Sequence, residues 1–257
     1  MSLEGIRRQL LASLSLALAP VALRQGRQLR QDAIRLAEAP GERGASVPGS
    51  PPALRLLAVG ESPLAGVGLD HPNQTVAARL AELIRQRTDR AVRWQILARG
   101  GLTAEAVQKK LLPGLEAGSV DLILIGLGVN DSLALRSARR WRGDLQLLIE
   151  ALHARLGPAP VLLAGVPDMQ RFPLLPFPLS LLLGARARLL DHTAAGLAGS
   201  RPDMRHVPMR LDAGSSELFC QDGFHPNAVG HARWAAQLVP AALDLLQTAA
   251  KVRLPAG

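Results

Sequence analysis

Residues 120–131 read VDLILIGLGVND: after Asp121 the chain is apolar through Leu127 and then turns polar at Asn130-Asp131. The run is short and lacks alternation, which suits a strand buried on both faces of a parallel sheet. Working outward, Leu54–Val59 (LRLLAV), Val92–Ala98 (VRWQILA) and Val161–Val166 (VLLAGV) have the same character, and Met204–Met209 (MRHVPM) is a weaker fifth. Between them Gln74–Arg87, Thr103–Leu115, Ser137–Leu156 and Leu179–Ala198 repeat apolar residues at spacings of three and four. Strands alternating with helices of that length predict an α/β domain: an open parallel sheet of about five strands, covered on both faces.

The composition is consistent with such a domain. Of 257 residues, 48% are hydrophobic and 20% charged, which excludes a wholly disordered chain. The single cysteine, Cys220, has no partner for an internal disulfide or for a cysteine-based zinc site, so a structural metal would need His and carboxylates alone. The net charge of +9 raises the question of nucleic acid, but only Lys109, Lys110 and Lys251 are lysines, and the arginines are scattered along the chain. Aromatics make up 3% and there is no tyrosine, so no stacking platform for single-stranded bases is present and no nucleic-acid partner is expected. A basic surface facing anionic lipid or an acidic polymer stays open.

Residues 1–53 read as an appendage to a domain over 54–257. Arg7 and Arg8 precede an apolar run from Leu10 to Leu23, Arg24, Arg27 and Arg30 follow at helical spacing, and Gly41–Pro52 reads as a Gly/Ser/Pro linker. Three readings compete for the apolar run. A secretory signal has a cleavage motif in Ala17-Leu18-Ala19, weakened by Pro20 just after it. A transmembrane span is disfavoured, because the 14 residues of Leu10–Leu23 rise only about 21 Å against a core of roughly 30 Å. An interfacial or packed helix is favoured, with a peripheral membrane contact through residues 10–35. The corresponding location is the cytoplasm or the inner face of the membrane, with export as the alternative.

In an open sheet of this kind the site lies beyond the carboxyl ends of the strands. There the first strand ends in Gly60-Glu61-Ser62, the second in Arg99-Gly100-Gly101 and the third in Gly128-Val129-Asn130-Asp131, while Asp222-Gly223-Phe224-His225-Pro226-Asn227 precedes the last helix. Ser62 is a candidate nucleophile, against the common reading of such a serine as a turn or cap residue. Serine needs a base, and His225 comes with its own orienting carboxylate three residues earlier, Asp222; a turn aspartate beside a surface histidine is the competing reading. His231, within the final helix, reads as structural. Acyl transfer also needs donors for the developing oxyanion, which the N–H of Gly101 or Gly100 and the amide of Asn130 can supply. An Asx turn is the competing reading of Asn130.

Together these residues carry a resemblance. GESPLAG at 60–66, RGGLT at 99–103, GVND at 128–131 and DGFHPN at 222–227 resemble, in order, the four sequence blocks of the SGNH hydrolases, the GDSL-like esterases and lipases. The resemblance covers residues 54 to about 247. It implies a flavodoxin-like three-layer α/β/α sandwich, a triad of Ser62, Asp222 and His225, and an oxyanion hole from Ser62 N–H, Gly101 and Asn130. The implied activity is carboxylester hydrolysis through an acyl-enzyme on a small-molecule ester, with no cofactor. The alternatives are a carbohydrate O-acetylesterase or a catalytically silent binding domain. Glu61 departs from the aspartate usual in the first block. The insert Asp168–Leu183, rich in Phe, Leu and Pro, reads as a roof for an acyl pocket, a membrane contact or a packed loop. The sequence leaves the oligomeric state open.

Overall fold

The structure, a computed structural model, describes residues 18, 20–210 and 216–253. Why the run at 120–131 forms a buried strand is visible in its side chains. In β4 (Leu122–Gly126), Leu122 and Leu124 point to one face and Ile123 and Ile125 to the other, all at most 1% exposed. A strand with both faces covered has no solvent side on which to place polar residues, hence the missing alternation. Fully burying each such side chain is worth about 1.5–3 kcal/mol.

Around it lie β1 (Gly44–Val47), β2 (Ser50–Gly60), β3 (Arg90–Ala98), β5 (Val161–Ala164) and β6 (Met204–Val207), in the order β1-β3-β2-β4-β5-β6. The five strands expected from the sequence are all present and mutually parallel. Residues 20–32 form α1. The other helices are α2 (Val76–Thr88), α3 (Ala104–Lys110), α4 (Val129–Leu133), α5 (Ala138–Leu156), α6 (Leu179–Gly199) and α7 (Ala228–Arg253). On one face α2 and α7 cover Leu56, Ala58, Leu124 and Leu162 with Leu80, Ile84, Leu238 and Leu245. On the other, α3, α5 and α6 cover Leu57, Val59, Ile125 and Leu163 with Val107, Trp141, Leu148 and Leu190. This is a three-layer α/β/α sandwich. Hydroxyl side chains of Thr75, Thr103 and Ser137 cap α2, α3 and α5, which fixes where each helix leaves its loop.

One stretch departs from its sequence reading. Residues 41–52, read as a linker, contain β1 and the start of β2, so the sheet has six strands and is mixed. β1 pairs antiparallel with β3, with Gly44 opposite Gln95 and Val47 opposite Val92. Its Gly-Ala-Ser-Val sequence carries no apolar repeat because the strand is held by backbone hydrogen bonds on the open edge of β3, with little side-chain burial. Most of the apolar run Leu10–Leu23 lies outside the described residues. Its described end continues into α1, where Ala22 is buried and Gln25 joins the start of α6 through Phe177 O and Leu179 N–H. Among the described residues no helix is long and apolar enough to cross a membrane.

Candidate active site

β3, β2 and β4 are neighbours, with Gly60 level with Ala98 on one side and Gly126 on the other. The turns leaving these strands therefore stand side by side, with Ser62 in the middle, Gly101 on the β3 side and Asn130 on the β4 side. The loop before α7 closes over them. His225 Nε2 lies 3.0 Å from Ser62 Oγ, and His225 Nδ1 lies 2.6 Å from Asp222 Oδ2. All three residues singled out in the sequence thus form one hydrogen-bonded chain. A carboxylate only accepts, so Nδ1 carries the proton and Nε2 is the acceptor for the Ser62 hydroxyl. Burial raises the Asp222 pKa, but the hydrogen bond from His225 and the backbone N–H groups of Phe224 and His225, each 3.0 Å from Oδ1, more than offset it. The net result is a carboxyl held below its ordinary range, charged at neutral pH and suited to stabilise an imidazolium.

The donors are placed as follows. Neither Ser62 N–H nor Gly101 N–H has an acceptor among the described residues. Gly101 adopts φ +77°, a left-handed conformation open to glycine, and no atom lies within 4 Å of where a side chain would start. Gly100 N–H is already bonded to Glu38 Oε1 at 2.7 Å, which leaves Gly101 as the free donor of the two. Asn130 Nδ2 donates to Leu102 O at 3.2 Å, which orients the amide.

Glu61, the departure from the family block, has a defined place. It is buried, and its two carboxyl oxygens accept the N–H groups of Val129 and Asn130, each at 2.9 Å. These are the first two residues of α4, whose N–H groups have no partner within the helix. Glu61 therefore ties the turn of Ser62 to the turn of Asn130. Burial pushes its pKa up to about 8, against the lowering effect of the Asn130 and Val129 N–H groups.

Sequence reasoning missed the groups that hold the histidine loop. Phe172 is buried and meets Phe224 and Phe219 edge to face, at centroid distances of 5.1 and 5.4 Å. Phe224 in turn packs on the His225 ring, and Leu174 N–H donates to Gly223 O at 3.0 Å. The apolar insert is thus a buttress for the loop, and with Ser62, Leu127, Val129 and Pro167 it lines an apolar cavity of about 40 Å³. Of the insert, Phe177 stays 68% exposed. Among the described residues no group of three or more His, Cys, Asp or Glu is arranged to hold a metal ion.

Residues 58–233 match the model of the GDSL-like lipase/acylhydrolase family. The chain belongs to this family. No curated protein matches it in sequence. Solved structures share the fold at low identity. A lipase/acylhydrolase from Enterococcus faecalis is 20% identical with a TM-score of 0.55, over 73% of this chain and 94% of that one. The lipase Lip_vut3 from a goat rumen metagenome is 16% identical with a TM-score of 0.56, over 73% and 97%. A carbohydrate esterase family 2 enzyme with a carbohydrate-binding domain, from Corynascus thermopiles (Myceliophthora fergusii), is 16% identical with a TM-score of 0.59, over 78% and 69%.

Proposed function

We propose that this GDSL-family protein is a serine carboxylester hydrolase working through an acyl-enzyme. The observation that carries the reading is the continuous chain Asp222–His225–Ser62, with distances of 2.6 and 3.0 Å. His225 Nε2 takes the hydroxyl proton as Ser62 Oγ bonds to the ester carbonyl carbon, and the carbonyl oxygen becomes an oxyanion facing the N–H groups of Ser62 and Gly101 and the Asn130 amide. Collapse breaks the bond to the alcohol, which leaves with the proton from His225. Water then repeats the sequence with His225 as base and frees the acid. Asp222 keeps Nδ1 protonated throughout and stabilises the imidazolium. The chemistry asks for no cofactor.

The cavity beside Ser62 speaks for a short acyl group. At about 40 Å³ it has room for only a few groups the size of a water molecule, and Leu127, Val129, Phe172 and Phe224 make it apolar. An acetyl or propionyl group fits these limits. That same size supports a second reading, an O-acetylesterase acting on sugars, in line with the carbohydrate esterase among the similar structures. Against it stands the aromatic content of 3%, which offers little surface for sugar rings.

Hydrolysis of p-nitrophenyl esters from acetate to palmitate, by the wild type and by Ser62→Ala, tests the proposal. We expect turnover highest on acetate or propionate, falling steeply with chain length, and lost by at least about 10³-fold in Ser62→Ala. Wild-type protein that neither turns over any ester nor reacts at Ser62 with a fluorophosphonate would instead be a silent binding domain.

A further inference from the structure

The chain just before β1 reaches the site from outside the four motif segments and outside the residues matched by the family model. Residues 36–43 run as a strap along the active edge of the sheet. Ala39 N–H donates to Gly66 O at 3.0 Å, and Gly68 N–H donates to Ala37 O at 2.9 Å, which stitches the strap to the turn that follows Ser62. Packing reinforces the seam: a side-chain carbon on Gly68 would fall 2.8 Å from Leu36 Cδ1 and 2.7 Å from Cys220 Sγ, so glycine is needed for this approach. Cys220, which also lies against Gly68, donates its N–H to His225 O at 2.7 Å, so the same turn meets the histidine loop.

From this strap Glu38 reaches the second motif segment at Gly100. Its Oε1 accepts Gly100 N–H at 2.7 Å, while Oε2 pairs with Arg43, whose guanidinium also donates to Ala98 O. The carboxylate is thus held by a cation that is itself anchored to the end of β3. What it fixes matters because Gly100 and Gly101 are consecutive glycines, the residue type with the widest backbone freedom. Without an anchor the Gly101 N–H would sweep a broad cone, and an oxyanion donor contributes to rate only if it is aimed before charge develops. Gly100 also lies against the nucleophile, since a side-chain carbon there would sit 3.7 Å from Ser62 Cβ.

We infer that Glu38 is a positioning residue of the oxyanion hole: by holding Gly100 N–H it aims the neighbouring Gly101 N–H at the substrate oxygen. The inference rests on the serine hydrolase reading above. It assigns a role in turnover to a segment that the sequence places in an appendage. Acceptor geometry is what the role requires of Glu38, with its charge serving only to keep it paired with Arg43.

The test compares Glu38→Ala, Glu38→Gln and Glu38→Asp in the full chain, reading kcat and KM on p-nitrophenyl acetate, the rate of fluorophosphonate labelling of Ser62, and Tm. Removing an oxyanion donor outright costs about 10²–10³-fold, so a misaimed one is expected to lower kcat about 10- to 100-fold in Glu38→Ala, with KM within about 3-fold. Labelling should slow in parallel, because phosphonylation develops the same oxyanion. Glu38→Gln keeps an oxygen acceptor at the same reach and, although its NH2 then meets the Arg43 guanidinium without pairing to it, should recover part of the loss, whereas Glu38→Asp keeps the charge but draws the acceptor back by one methylene and should not. An ion pair that matters only for folding would rank the two the other way, Asp above Gln, and would overturn the inference. So would a folded Glu38→Ala with wild-type kcat. If Glu38→Ala fails to fold, the order of Gln and Asp decides alone. A wild type silent toward esters and fluorophosphonate overturns the hydrolase reading and this inference with it; wild-type turnover that survives all three substitutions overturns the inference alone.

Discussion

His225 and His231 stand six positions apart, one in the loop before α7 and the other a turn inside it, and they do opposite things with the same ring. The His225 side chain is 18% exposed, with Nδ1 on the Asp222 carboxylate and Nε2 on Ser62 Oγ. His231 is fully buried, and its Nδ1 accepts the N–H of Val76, the first residue of α2, at 3.0 Å. One ring is protonated at Nδ1 and keeps Nε2 open to a hydroxyl; the other is protonated at Nε2 and uses Nδ1 to staple two helices. Burial pushes the His231 pKa down to about 3, so that ring stays neutral at neutral pH. A carboxylate on Nδ1 and some solvent access suit the first ring to the proton-accepting role proposed for it, and the second ring has neither.

Substitutions should divide along the same line. The largest effect is expected for Asp222→Asn, which keeps the shape but can turn an amide N–H toward Nδ1 and favour the wrong tautomer; kcat should fall about 10⁴-fold with little change in Tm. A loss under tenfold would remove the triad from the mechanism. His231→Ala should do the reverse, leaving kcat within about 3-fold while lowering stability by about 2–4 kcal/mol, from the packing lost and from the Val76 N–H left buried without an acceptor. Urea unfolding with activity assays on the same samples measures both. Activity lost from a fully stable His231→Ala would erase the distinction between the two rings.

The two histidines also show what could be read in advance. The pairing of His225 with Asp222 was legible because the partner is local, three residues away, although a turn aspartate beside a surface histidine competed with it as a reading. The buried strands and the order of the four motif segments were legible for a related reason, since each is a continuous run whose pattern reports its own surroundings. Contacts between a side chain and a distant backbone N–H left no such trace. Nothing in the sequence ties Val76 to His231, Gly100 to Glu38 or Val129 to Glu61, because each joins a side chain to a backbone N–H, and every residue except proline has one. The same holds for β1, whose edge pairing with β3 is made by backbone groups and whose Gly-Ala-Ser-Val sequence resembles a linker.

The smallest effect sharpens the comparison most, because it depends on protonation alone. In the unfolded chain His231 titrates near 6.5, and in the fold near 3. Between these values the unfolded state binds the extra proton, so the wild type loses stability as pH falls from about 6.5, at up to about 1.4 kcal/mol per pH unit from this group. His231→Ala has no such proton to gain and is spared that loss. The stability gap between wild type and variant, largest at pH 7, should therefore narrow by about 2 kcal/mol on going to pH 5. Taking the gap between two proteins cancels the other titrating groups, including Glu61, whose raised pKa of about 8 acts in the opposite direction by lowering stability as pH rises from about 4.5. Urea unfolding of both proteins at pH 5, 6 and 7 gives the gap directly. A gap that stays constant would mean that the ring accepts a proton inside the fold as readily as outside it, and burial would then not be what keeps His231 neutral.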